Sequence, residues 1–149
     1  SSLHSTTCNL PYLLRLRIDY LIMDNYIGVI IEESLEDKTI LKNLKITKKR
    51  VSQVTAKHKT PWVKTWTLDT IKINENQADK ISKIISLSLD SNHDWYCDYK
   101  NSEYHYIIFR NKIFKINRTS KEQYDEAKVY GISLGIPPYQ VNFHPDLEE

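Results

Sequence analysis

Glycine is scarce in this chain of 149 residues, with only three, so no glycine-rich loop is present to cradle a phosphate. Five prolines add few breaks, which points to regular elements joined by short polar turns. Cysteine is rarer still: Cys8 and Cys97 stand far apart, with no C-x-x-C and no histidine at zinc-finger spacing. A disulfide scaffold is excluded, and the two read as reduced thiols of a cytoplasmic protein. No apolar run is long enough to cross a bilayer. The stretch from Leu10 to Ile22 is broken by Arg15, Arg17 and Asp19 and lacks a small-residue cleavage site, so it is neither a membrane span nor a secretory signal. Methionine occurs once, as Met23, in a chain that opens Ser-Ser-Leu-His. The expectation is a natural start at Met23, with 1–22 an upstream extension or non-native residues and 23–149 a single α+β domain.

What remains is ordinary globular material, with 40% hydrophobic residues and a mean hydropathy of −0.52. Area scaling for this mass buries about two-thirds of the unfolded surface, enough for a core without staples. Ile27 to Ile31 is a continuous, partly β-branched apolar run and predicts a strand buried on both faces. Ser34 with Asp37 predicts the cap of a short helix over 35–44. Residues 45–56 alternate with neither parity cleanly apolar, which suits an edge or surface strand. A loop over 57–61 leads into a second strand over 62–73, rich in Thr, Val, Ile and Trp.

Asn74 and Gln77 mark a helix start, and Ala78, Ile81, Ile84, Ile85 and Leu89 recur at helical spacing over 75–89. Strands are expected over 95–100, 104–110 and 113–117, the last two as a hairpin about Arg110-Asn111-Lys112. Ser120 with Gln123 caps a final helix that Gly135 and Pro137-Pro138 stop by Ile136, with Gly131 and Gly135 placed to allow close packing. The fold class is therefore α+β: a mainly antiparallel sheet of five to six strands with two long helices and one short one.

Charge is balanced in total, 21 Lys plus Arg against 19 Asp plus Glu, but not in distribution. Between Lys38 and Leu68 there are nine cations and no acid, whereas from Ser120 onward two lysines face six acids. A field so polarised can steer a polyanion toward one side of a small domain. Within the basic block, Trp62 and Trp66 with Lys64 between them predict one aromatic, cationic strand face. Single-stranded nucleic acid is held by such stacking platforms flanked by lysines. The candidate binding residues are Lys48, Lys49, Arg50, His58, Lys59, Trp62, Lys64 and Trp66. A second candidate surface is the tyrosine cluster of the late strands, Tyr96, Tyr99, Tyr104 and Tyr106, since tyrosine is enriched at partner interfaces.

Chemistry-bearing patterns are few. Asp98 and Lys100 form a D-x-K on a strand, side chains on one face. In that one motif the sequence resembles nucleases of the PD-(D/E)xK type, and the resemblance implies a metal-binding carboxylate and a lysine that positions water. Asp69 is the candidate second acid. Cys97 with His93 or His105, oriented by Asp94 or Asp98, would be the elements of a thiolate nucleophile. The histidines are isolated, so neither a metal site nor a cofactor is expected, and Glu32, Glu33, Glu36 and Asp37 read as partners of a helix dipole. The expectation is a non-enzymatic cytoplasmic binding module without membrane contact. A protein partner or self-association comes first, nucleic acid through 38–68 second, and a metal-dependent nuclease using the D-x-K motif is the alternative.

Overall fold

The computed structural model describes residues 23–144; the expectation for 1–22, with His4 and Cys8, and the last residues of the tail lie outside that range. Six strands form one sheet: β1 Tyr26–Ile31, β2 Lys45–Gln53, β3 Thr65–Ile73, β4 Tyr96–Lys100, β5 Tyr104–Phe109 and β6 Lys112–Asn117. Every pairing is antiparallel, in the order β2-β3-β1-β4-β5-β6. The first strand is thus central, with β3 and β4 on its flanks.

One face of the sheet is closed by helix α1, Ala78–Ser88. Ala78, Ile85 and the following Leu89 meet Tyr26, Ile30, Ile71, Tyr99 and Tyr106 in the larger core. The other face is only half covered. Helix α2, Lys121–Ser133, packs Tyr124 and Ala127 with the chain beyond it, Ile136 and Val141, on Ile107, Phe109 and Ile116 of β5 and β6. Gly131 permits that contact, since a Cβ there would stand 2.7 Å from Val141 Cγ1. Gly135, at φ +94°, ends the helical path in the left-handed conformation that glycine adopts without penalty.

The α+β class with an antiparallel sheet stands as expected, but several local expectations change. The segment expected as a short helix over 35–44 is a 3-10 run, Lys38–Asn43, and its cap is Asp37, which accepts from Thr39 N, rather than Ser34. Ser34 is buried and donates to Ile31 O instead. Asn74 gives no side-chain cap, whereas Ser120 accepts from Gln123 N as expected. The β1 run is buried on one face only: Tyr26 and Ile30 point into the core, while Ile27 and Val29 are 56% and 39% exposed. β3 begins at Thr65, so Trp62 belongs to the turn before it and not to a shared strand face with Trp66.

Within the tyrosine cluster, Tyr99 and Tyr106 are core, while Tyr96 and Tyr104 are half-buried. Tyr99 and Tyr106 are buried against Tyr26 at ring distances of 5.5 and 5.2 Å and lie 5.0 Å from each other, and their hydroxyls donate to Ala78 O and to the Asp79 carboxylate at the start of α1. Each phenol brings apolar area and a partnered hydroxyl, which is what permits tyrosine deep in a core.

A bulge in β2 sets which of its residues face which side. Ile46 pairs with Ile71 and turns toward the α1 core; Thr47 is the extra residue; Lys48 then pairs with Thr70 and faces the opposite side.

Candidate functional site

The uncovered face spans β2, β3, β1 and the exposed part of β4, and the strand registers define its surface row by row. Lys45, Lys72, Ile27 and Lys100 lie side by side across the four strands. The next row is Lys48, Thr70, Val29 and Asp98, and the third begins Arg50, Leu68, Ile31. These rows carry five cations, Lys45, Lys48, Arg50, Lys72 and Lys100, all exposed, against one carboxylate, Asp98. Among the described residues none of the five forms an ion pair. Lys45 stands directly opposite Lys72, and like charges directly across strands destabilise a sheet.

The apolar end of this face becomes the floor of a cleft of about 860 Å³, with Val29, Ile31 and Leu68 at its base. One wall is the β2–β3 connection, carrying Lys57, His58, Lys59 and Trp62, with Trp66 at the start of β3; the other is the chain after α2, with Ile136, Pro137 and Tyr139. The walls are tied together: Tyr139 Oη donates to Lys57 O, Gln140 Nε2 donates to His58 O at 3.2 Å, and Tyr96 Oη donates to Gln140 O at 2.7 Å. His58 is oriented by Thr55 N, which donates to its Nδ1 at 2.8 Å, and its ring sits edge-on to Trp66 at 4.3 Å. Trp66 Nε1 donates to Thr60 Oγ1 at 3.0 Å, and Trp62, 43% exposed, stacks on His93 at 3.8 Å.

Asp98 is the fixed anion of this region. Its Oδ2 is 2.7 Å from Nε2 of the buried His105, whose Nδ1 lies 3.0 Å from Tyr124 Oη. A carboxylate only accepts, so His105 Nε2 carries a proton and donates to Asp98, with the Tyr124 hydroxyl against Nδ1 on the other side of the ring. Burial raises the Tyr124 phenol above its ordinary value. The Asp98 side chain is 34% exposed and lines the cleft, held from behind with acceptor capacity left over.

The structure gathers some of the candidate residues and separates others. His58, Lys59, Trp62 and Trp66 converge on the cleft; Lys48 and Arg50 lie on the adjoining open face; Lys64 is exposed but outside both. Lys49 faces the α1 side, 2.7 Å from Glu32 Oε2 and 3.9 Å from Asp69 Oδ1, and so is spent on an internal cluster. Asp98 and Lys100 share a face, but Asp69 pairs with Ile30 while Asp98 pairs with Val29, which puts the two acids on opposite faces. Cys97 points away from Asp98 and His105 toward Val29 O, and burial pushes its thiol well above the ordinary value, so its environment is that of a core thiol. No group of three or more potential metal ligands converges among the described residues, and none of their helices is long and apolar enough to cross a membrane.

Set against protein-family models, curated proteins and solved structures, the chain matches none. What the site can do is therefore argued from its geometry. Lys45 and Lys72 were outside the candidate residues, and Lys100 was among them only as the lysine of the D-x-K motif, because only the strand order brings these distant residues into one row. Their signal was a lysine next to a residue of opposite parity that faces the core, Ile46, Ile71 and Tyr99.

Proposed function

We propose that the protein is a non-enzymatic binding module that holds single-stranded nucleic acid on its open sheet face and in the adjoining cleft. The observation that carries this reading is the unpaired cationic surface: five cations in register rows, with Lys45 set against Lys72 at a cost to the sheet. A polyanion removes that repulsion and releases counterions as it binds. The apolar floor and the aromatic residues of the cleft, Trp62, Trp66 and Tyr139, supply stacking surface beside the cations. The flat face presents no helix or ribbon shaped to enter a duplex groove, which favours a single strand. Edge-to-edge self-association is disfavoured at β2, where Lys45, Lys48, Lys49, Arg50 and the bulge guard the free edge.

The test is fluorescence anisotropy with short single- and double-stranded DNA and RNA at two salt concentrations. Single strands should bind more tightly than duplex, and the log–log salt slope should be about −2 to −3.5, as three to five phosphate contacts require. Absence of binding at about 50 mM salt would overturn the reading.

A further inference from the structure

Resting on the nucleic-acid reading, we infer that the cleft seats one unstacked guanine, with the base's Watson–Crick edge on Asp98. A carboxylate on a face built for phosphates is an anomaly, because it repels the backbone that the surrounding cations attract. Its setting marks it as fixed: the buried His105 donates to Oδ2 from behind and is held in turn by Tyr124, while the carboxylate reaches the cleft. A group so placed is useful only to a ligand that offers donors.

The bases differ in what they offer. Guanine alone presents two adjacent donors on its Watson–Crick edge, N1–H and the N2 amino group, which match the two oxygens of one carboxylate. Adenine and cytosine each set an acceptor beside their donor, and thymine and uracil set acceptors on both sides of theirs. An acceptor held against a carboxylate is left unpaired and repelled, so the wrong base loses more than one hydrogen bond. The surroundings fit the rest of the nucleotide. The exposed Trp62 and Tyr139 line the walls as stacking surface, Val29, Ile31 and Leu68 form an apolar floor, and the exposed Lys57 and Lys59 stand at the rim for phosphate. At about 860 Å³ the cleft has room for a whole nucleotide. Asp94 also lines it, but as an exposed loop residue with no partner among the described residues to hold it in place, and it serves as the control position.

The experiment uses labelled single-stranded octamers of thymidine whose central position is dG, dA, dC or deoxyinosine. The wild-type protein should bind the dG octamer about tenfold more tightly than the dA and dC octamers. Deoxyinosine, which keeps N1–H and lacks the amino group, should fall between. Asp98→Asn should bring dG down to the level of dA, whereas Asp94→Asn should leave the preference intact. Equal binding of all four octamers to the wild type overturns the guanine assignment while leaving the open-face reading standing; no binding to any overturns both. A dG preference that survives Asp98→Asn removes Asp98 as the reader. The deoxyinosine arm needs no variant, so the assignment is decided even if Asp98→Asn fails to fold.

Discussion

Asp69 and Asp98 sit on β3 and β4, the two strands that flank β1, and point in opposite directions, and the sheet treats them differently. Asp69 is sealed under the α1 side beside Glu32 and Lys49, and neither of its oxygens takes a hydrogen bond from a fixed donor. Burial first, and the neighbouring Glu32 second, push its carboxyl up to about 6, so it keeps its proton in conditions where an ordinary aspartate has lost it. Glu32 is shifted the other way, held low by the neighbouring Asp69 carboxyl and then by Lys49. Asp98 has a half-open position, a fixed donor behind it and cations on the strands around it. The closed face thus draws its acids together beside Lys49, while the cations of the open face form no ion pair among the described residues.

The largest expected effect breaks the closed face. Ile85→Ala empties a buried position of α1 and should destabilise the fold by about 2–5 kcal/mol, read from urea denaturation. Next is Asp69→Asn. A carboxyl whose folded value is raised favours the native state below its unfolded value near 4 and loses that contribution as pH rises through about 6. The asparagine variant should therefore be more stable than wild type at pH 7.5, by about 1–3 kcal/mol, and lose its advantage near pH 4. Denaturation curves at both pH values check this, and equal differences at the two would rule out the raised carboxyl.

Turning to the open face, Lys72→Glu should weaken binding of a thymidine octamer about five- to tenfold at low salt. It replaces the Lys45–Lys72 repulsion with an attraction, so the melting temperature should hold or rise slightly. A parallel loss of binding and stability would mean that Lys72 supports the fold instead. The smallest effect is Ile27→Ala, under about 0.5 kcal/mol, because that side chain is already in solvent. A loss comparable to Ile85→Ala would show that the face is covered.

Much of this architecture was legible in the sequence because it is written in short periods. The three-and-four spacing from Ala78 to Leu89, the alternation of the late strands and the Ser120 cap each concern neighbours along the chain. What was not legible depends on distant partners. An apolar run such as Ile27 to Ile31 reads as doubly buried, yet where the second layer lies is decided by α2 settling over β5 and β6 only. The cleft draws on positions from Val29 to Gln140, and the Asp98–His105 contact arises from strand pairing. The segment before β2 shows a different limit: Asp37, two residues ahead of Thr39, captures its backbone and hydroxyl, and the tighter 3-10 path wins over the expected helix.

The extra residue at Thr47 has a consequence for how β2 can change over time. A strand that must seal a core at one end and display cations at the other needs two opposite phases, and a single inserted position supplies the change of phase. Substitution within Lys48 to Gln53 trades one side chain for another, but loss or gain of one codon there interchanges the two surfaces wholesale. This strand should therefore be the part of the sheet most tolerant of altered letters and least tolerant of altered length.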